Sequence, residues 1–399
     1  MNKKEVLEIK KRFKKEAATI DKIAGCYVDC NKQKICKIGG KFLSLDDEEY
    51  FKYLDIAKKS LSGTIGNNLL NLEFPIEEES KDGRQNILIN LRNSNFDNED
   101  LLDKFYDLII DTYETSGNYF IILFHDSYDI PIKTSDNMTL DDSEEVYEYI
   151  ICAICPVALS KPALGYREDE KRIGSRIRDW VVGAPETSIL FPSFTDRSSD
   201  IHSCLFYTKN AKEPHSEFMT NGLGCPIVRT STEKRELFHS IVKNAIGNES
   251  DNVEEVYLNM QCGLAEVCEE YEETHTPDDE PAIIDERVIK EIAKGIDISE
   301  EQVKQIADTC EEEFGQTLDI FSATDSKLVE NSEDKLQIIE LKEKVKVLSN
   351  INNTKNDDIY INTNSDNATA ISKIVIDGKT YLSVPENISI FLNNMPIDN

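Results

Sequence analysis

The sequence predicts an α+β protein: a mixed β-sheet core with one βαβ crossover, followed by an acidic helical segment and a small C-terminal β module. Three observations carry that expectation. Short apolar runs in the middle of the chain, such as VYEYIICAICPV, TSILFPSF and DIHSCLFYT, follow one another with no helix between each pair and read as strands. One helical stripe, NEDLLDKFYDLIIDTYE, stands between the strand-like NILINL and NYFIILF, the pattern of a right-handed crossover. Beyond Gly247 the periodicity turns helical and acidic, until the alternation of ISKIVIDGKTYLSV breaks at Asp377-Gly378, a favoured hairpin turn.

In order along the chain, Val6, Ile9, Phe13, Ala17 and Ile20 fall at helical spacing, so residues 3–22 form an amphipathic helix. GCYVDCNKQKICKIGGKFLSL reads as a hairpin, and Ser44 with Asp47 as a capping box for a helix over residues 46–61. EEESKDG is a linker by composition. NYFIILF is apolar on both faces and belongs inside a sheet, and Leu101, Phe105, Leu108 and Ile109 line one face of the preceding helix. In the acidic part, Gly295 ends one helix, Ser299 with Gln302 caps another, and Gly315 ends it. LQIIELKEKVKVLSN extends the helical pattern, and NISIFLNNMPI adds a further strand with a turn at Asn393-Asn394. The expected organisation is residues 1–78 as an N-terminal helix, hairpin and helix, 84–246 as the central sheet domain, 247–350 as the acidic helical segment and 357–399 as the β-hairpin module.

Composition narrows the function. A chain of 399 residues with 16 Phe and 15 Tyr can fill a core. Its formal charge of −31 repels nucleic acid and anionic membranes at long range, so no direct DNA or RNA binding and no membrane contact are expected. The charge is uneven: residues 249–346 hold 29 acidic and 9 basic side chains, residues 1–22 hold 8 basic and 4 acidic. The two ends either pair, within one chain or between chains, or are solvated faces. No apolar run reaches the roughly 20 residues that span a bilayer, and the basic N-terminus never becomes an apolar stretch, so a cytoplasmic location is expected. The ten cysteines are expected to be reduced, with no structural disulfide.

Chemistry-bearing residues concentrate in the central part. On a strand Asp200, His202 and Cys204 share one face, which offers acid, imidazole and thiol in order. Parallel side chains do not converge as a triad requires, so a structural His–Asp pair competes with catalysis there. His125 and Asp126 stand at the carboxyl end of the inner strand, where open α/β sheets place ligands. Arg176 and Arg178 either clamp a phosphate or carboxylate or neutralise acids, and Arg197 bridges Asp196 and Asp200. Cys152 and Cys155 form a CxxC within a strand-like run, which points to buried packing rather than redox work. Cys26, Cys30 and Cys36 lack a fourth ligand, so no metal is expected, and no cofactor fingerprint is present.

LSGTIGNNLLNLEF, YFIILFHDSYDIP, ICAICPVALSKPALGY and RDWVVGAPETSILFPSFTDRSSDIHSCLFYTKN resemble an uncharacterised domain-of-unknown-function family of anaerobic Gram-positive bacteria. The resemblance covers residues 1–245 and, more weakly, the terminal KIVIDGKTYLSV, and it implies no activity and no catalytic residue. The residues favour a cytoplasmic macromolecule-binding protein, interacting or regulatory, with a protein partner. The alternative is an enzyme acting on a phosphorylated or carboxylated small molecule at His125, Asp126, Arg176, Arg178, Asp200 and His202. A third reading is an acidic mimic of nucleic acid.

Overall fold

A computed structural model describes residues 1–14, 17–133, 139–247, 253–276, 279–296, 298–332, 341, 359–362, 372–377, 379–384, 389–392 and 395–397. The chain opens with α1 (Lys3–Lys10), where Asn2 accepts from the Lys4 and Glu5 amides and Glu5 reaches back to the Asn2 amide. The helix is shorter than its periodicity suggests. The chain turns at Lys11, yet Phe13 and Ile20 still reach the core. β1 (Lys22–Val28) and β2 (Lys34–Lys41) make the expected hairpin, closed by Asp29, which accepts from the Asn31 and Gln33 amides. α2 (Asp47–Lys59) is capped by Asp46 rather than Ser44, whose hydroxyl donates to the Lys41 carbonyl. β3 (Leu69–Glu73), α3 (Arg84–Asn93), α4 (Glu99–Thr112), β4 (Asn118–Lys133) and β5 (Thr139–Leu159) follow. Then come β6 (Leu164–Arg167), β7 (Arg172–Ser175), β8 (Trp180–Val182), β9 (Thr187–Phe191), β10 (Ser193–Thr195), β11 (Ser198–Asp200) and β12 (Ser203–Thr208).

One sheet, in the order β2-β1-β4-β5-β9-β12-β3 with β8 also paired to β5, organises this part of the molecule. The α+β class stands, but the crossover and the mixed sheet do not: every pairing in the sheet is antiparallel. NILINL lies in α3, where Gln85, Leu88 and Leu91 are buried at intervals of three, a helical period that a six-residue apolar run does not reveal by itself. The boundary expected between 1–78 and 84–246 also fails, since β1, β2 and β3 belong to the same sheet as β4 and β5.

Helices cover both faces of the sheet. Cys26, Ile121, Leu123, Cys152, Ile154, Cys204 and Phe206 point to α3 and α4, against Leu88, Leu91, Phe105 and Ile109. Ile122, Phe124, Ile151, Ala153, Cys155, Leu205 and Tyr207 point to α1 and α2, against Val6, Ile9, Leu54 and Ala57. An antiparallel sheet can leave one face wet; here the central strands β4, β5, β9 and β12 are covered on both faces, which is why they are continuously apolar. Cys152 and Cys155 therefore sit on opposite faces, as buried packing requires.

The helical segment begins earlier than residue 247. α5 (Ser231–Ile246) shares a core with α6 (Val253–Thr274), α7 (Glu286–Ile292), α8 (Glu300–Phe314), α9 (Ile320–Ala323) and α10 (Ser326–Glu330) through Phe238, Met260, Leu264, Ile289, Ile306 and Phe314. Ser299 and Gln302 form the expected capping box, and Gly315 ends α8 at φ 53°. The helix expected at LQIIELKEKVKVLSN lies outside the described residues, apart from Leu341. β13 (Ile359–Asn362), β14 (Ser372–Ile376), β15 (Lys379–Ser383), β16 (Ser389–Leu392) and β17 (Met395–Ile397) make the terminal module. Ile376 pairs with Lys379 across the expected two-residue turn, and Leu392 with Met395 across the other. No helix among the described residues is long and apolar enough to cross a membrane.

EEESKDG is a tight corner rather than a linker. The Glu78 carboxylate accepts from the Arg84 amide at 2.6 Å, and the Glu78 carbonyl oxygen would stand 2.0 Å from a Cβ on Gly83. Gly83→Ala should therefore destabilise by about 2 kcal/mol or more, read by urea unfolding, because backbone must shift to admit the methyl. Thiol chemistry gives a second test. Burial pushes Cys26 up to about 11 and Cys155 and Cys310 up to about 12, so they stay protonated and shielded at pH 8. Cys30 and Cys36 are exposed and Cys262 is half-buried. In native protein a thiol reagent at pH 8 should titrate Cys30 and Cys36 fast, Cys262 more slowly, and the other seven only on unfolding.

Candidate functional site

The sequence-predicted polar residues separate into three places. His125 and Asp126 are neighbours on β4 and point to opposite faces. His125 Nδ1 lies 2.8 Å from Asp21 Oδ1, and its ring packs edge-on against Phe96 with centroids 5.8 Å apart. Asp126 faces α1. It accepts from Thr19 Oγ1 at 2.6 Å and from the Tyr149 hydroxyl, and Arg12 Nη2 lies 3.3 Å from both its oxygens. Arg12 also donates to the Ser127 carbonyl at 2.9 Å and stacks 4.1 Å above the Tyr128 ring. Burial, then the Asp126 charge, holds the Tyr149 phenol far above the ordinary range, so it is a fixed donor to that carboxylate. This closed ion pair ties the turn after α1 to the sheet.

Asp200, His202 and Cys204 do not share a strand face, because the strand is interrupted. β11 ends at Asp200, residues 201–202 form a turn, and β12 starts at Ser203. Asp200 accepts from Ser203 Oγ at 2.6 Å and from the His202 amide at 3.0 Å, a local turn motif. The exposed His202 ring meets Glu79 at 2.7 Å. Cys204 is buried under α3 and α4, and its hydrogen bond with Cys225, together with burial, pushes its thiol far up. No nucleophile–base pair forms there.

Arg197 is a clamp with other partners than expected. Thr195 pairs with Ser198, so Asp196 and Arg197 form a two-residue turn with φ of 50° and 60°. Arg197 Nη1 donates to both Glu8 oxygens at 2.6 and 2.9 Å, and Nη2 donates to the Pro131 carbonyl at 2.8 Å. The Asp196 amide donates to Glu5 at 2.8 Å. The hairpin tip thus docks on α1 rather than bridging Asp196 and Asp200. The basic residues of α1 and its turn engage the sheet part too, through Arg12 with Asp126 and Lys10 with Ser62.

Arg176 and Arg178 lie elsewhere again, on an arm of residues 159–182 that leaves the end of β5 and returns as β8. In the β6–β7 hairpin Tyr166 pairs with Ile173, and Leu164 is two residues from Tyr166, so all three share one face. That face is uncovered: Leu164 is 77% exposed, Tyr166 64% and Ile173 63%. Arg167 and Arg172 stand opposite one another on the other face, and Glu170 in the turn pairs with both. Ile177 and Trp180 continue the apolar exposure toward β8. Beside β8, against α2, runs a groove of about 760 Å³ lined by Tyr53, Ile56, Phe120, Val157, Trp180 and Val182. The sequence signal is the mixture of Leu164, Tyr166, Ile173, Ile177 and Trp180 with six cations in a short stretch.

A second constellation that the sequence does not signal surrounds His215, at φ 60°. Its Nδ1 meets Glu217 at 2.9 Å and its Nε2 the Tyr113 hydroxyl at 3.2 Å. Both ring nitrogens are engaged within the protein, so the arrangement fixes the loop against α4. Among the described residues no group of three or more His, Cys, Asp or Glu is placed to hold a metal.

The Asp126 assignment has a direct test. Arg12→Met leaves a buried carboxylate without its cation and should cost about 3 kcal/mol or more in urea unfolding. A loss below about 1 kcal/mol would show that the pair is not structural.

No curated protein matches this chain. The sheet, the helical segment and nearly all of the terminal strands fall within residues 1–393, which match the family model described as Domain of unknown function (DUF4317), and the chain belongs to that family.

Proposed function

We propose that the protein acts by binding another macromolecule, a protein partner, through the arm of residues 159–182. The observation that supports this reading is the uncovered apolar face of Leu164, Tyr166 and Ile173 on a two-stranded hairpin. A hairpin of two strands buries little by itself, and a contiguous exposed apolar face of this kind serves contact with something else. The arm is also the wrong sign for the rest of the chain: residues 159–182 hold 6 basic and 4 acidic side chains within a chain of net −31. The enzyme reading loses support by comparison, because His125, Asp126, Asp200 and His202 each have separate protein partners. Free, exposed Cys30 and Cys36 suit a reducing cytoplasm.

The test is affinity capture from native cells with the wild type and with a Leu164→Ser, Ile173→Ser double variant. Both positions are exposed, so stability should change by no more than about 0.5 kcal/mol each. A reproducible protein partner retained by the wild type and lost by the variant supports the reading. Equal capture by both, or a co-purifying small ligand in place of a protein, overturns it.

A further inference from the structure

β8 is short, but its position in the sheet is unusual. It shares one side of β5 with β9: β9 pairs with residues 150–154 and β8 with residues 157–159. In the next lane β12 pairs with β9 and stops, with Thr208 opposite Thr187 and the Lys209 amide on the Glu186 carbonyl at 2.8 Å. The chain then leaves, so among the described residues no strand lies on the side of β8 away from β5.

The register says which groups face that lane. The Ser160 amide donates to the Asp179 carbonyl at 2.9 Å and the Gly183 amide to the Pro156 carbonyl at 2.8 Å. Residues 179, 181 and 183 therefore direct their backbone groups to β5. By antiparallel alternation the amides and carbonyls of Trp180 and Val182 point the other way. No backbone partner for them occurs among the described residues, and all three β8 side chains are exposed, Trp180 by 55%. Val182 pairs with Val157, whose side chain packs on the α2 face, so the side chains of Trp180 and Val182 lie on that face too.

We propose that an extended segment of a partner protein, apolar at alternate positions and acidic at one end, pairs with the free edge of β8 and lays its apolar side chains beside Trp180 and Val182 on the α2 face. This rests on the docking role of the arm and gives it a mode, strand addition, in which main-chain bonds supply affinity and alternate side chains supply specificity. Trp180 and Val182 lie on the α2 face, so by the two-residue alternation every second residue of the incoming strand stands beside them. Charge sets the direction. At the start of β8 the Arg176 amide donates to the Ala163 carbonyl at 2.8 Å and Arg178 Nε to the Ser160 carbonyl at 2.7 Å, so both cations and the adjacent Lys161 gather where the only neighbouring acid in sequence is Asp179. The groove beside α2, inward of β8, is mixed in charge, with Glu48 and Glu49 beside Lys52 and Asp55 paired to Lys59 at 2.6 Å. Acidic residues of the partner segment therefore belong at the Arg176 and Arg178 end.

Trp180 is the only tryptophan of the chain, so its fluorescence reports the edge directly. The full-length protein is titrated with three synthetic ten-residue peptides. The first alternates valine with threonine and carries two glutamates at one end. The second has lysines in place of the glutamates, and the third has prolines at two central positions. The first peptide should shift Trp180 emission to the blue and protect it from iodide. The lysine and proline peptides should do so at least about tenfold more weakly, and Arg176→Ala with Arg178→Ala should weaken the first peptide by roughly tenfold. The proposal is overturned if the first peptide leaves Trp180 unchanged at millimolar concentration, or if the proline peptide binds as well as the first. Equal binding of the lysine peptide overturns the charge assignment. A dimer of this chain that the first peptide dissociates would replace the partner by a second copy and overturn the proposal in that respect. Loss of partner capture in the Leu164→Ser, Ile173→Ser variant, with no peptide effect on Trp180, overturns strand addition alone and leaves docking by the arm standing.

Discussion

The β4–β5 ladder is the constraint on which the rest of the sheet part depends. It runs from Asn118 opposite Val157 to Lys133 opposite Thr139, and its middle is apolar on both faces. Such a ribbon is unstable with either side in water, so it must be roofed twice. α1 and α2 supply one roof and α3 and α4 the other. Lateral strands then extend the dry area: β1 and β2 beyond β4, and β9, β12 and β3 beyond β5. The arm is the place where this arrangement lapses. There β5 has run past its roofs, and Leu159, Trp180, Val181 and Val182 are left exposed.

Polar residues along and beside the ladder fix how the roof sits. Hydrophobic burial has little directional preference, and α1 could slide on a flat apolar face. Arg12 on Asp126, Glu8 on Arg197 and Tyr128, and Glu5 on the Asp196 amide give it one register. Residues that resemble catalytic equipment in the sequence are thus largely the fasteners of a helix. The expense of burying Asp126 is offset by a guanidinium and two hydroxyl donors, and that local completeness leaves it nothing to offer a substrate.

Much of this was legible in the sequence. NYFIILF as an inner strand, the hairpin at Asp377-Gly378 and the Ser299–Gln302 cap depend on neighbours close in sequence, and those signals held. NILINL did not, because six apolar residues suit a strand or a helix equally and only the roof beneath α3 decides. The antiparallel sense of the sheet was hidden too, since burial on both faces, usual for parallel sheets, arises here from helices at two distant points of the chain. For the site, the arginines of the arm were visible and its apolar face was not. Leu164, Tyr166 and Ile173 look like ordinary core residues until the structure shows that no roof reaches them. Glu8 as the partner of Arg197 was out of reach, as the two lie at opposite ends of the sheet part.

β3 illustrates what this topology asks of a chain being made. Among the described strands it pairs with β12 alone, so Leu69 waits for Tyr207. Its segment leaves the ribosome long before its only lateral neighbour exists, and Leu70 and Leu72, fully covered in the finished sheet, must pass through that interval uncovered. Closing so long a loop is entropically slow. The early third of the molecule is therefore the part that should depend most on chaperones during synthesis, and truncations before β12 should yield insoluble protein rather than a smaller folded unit.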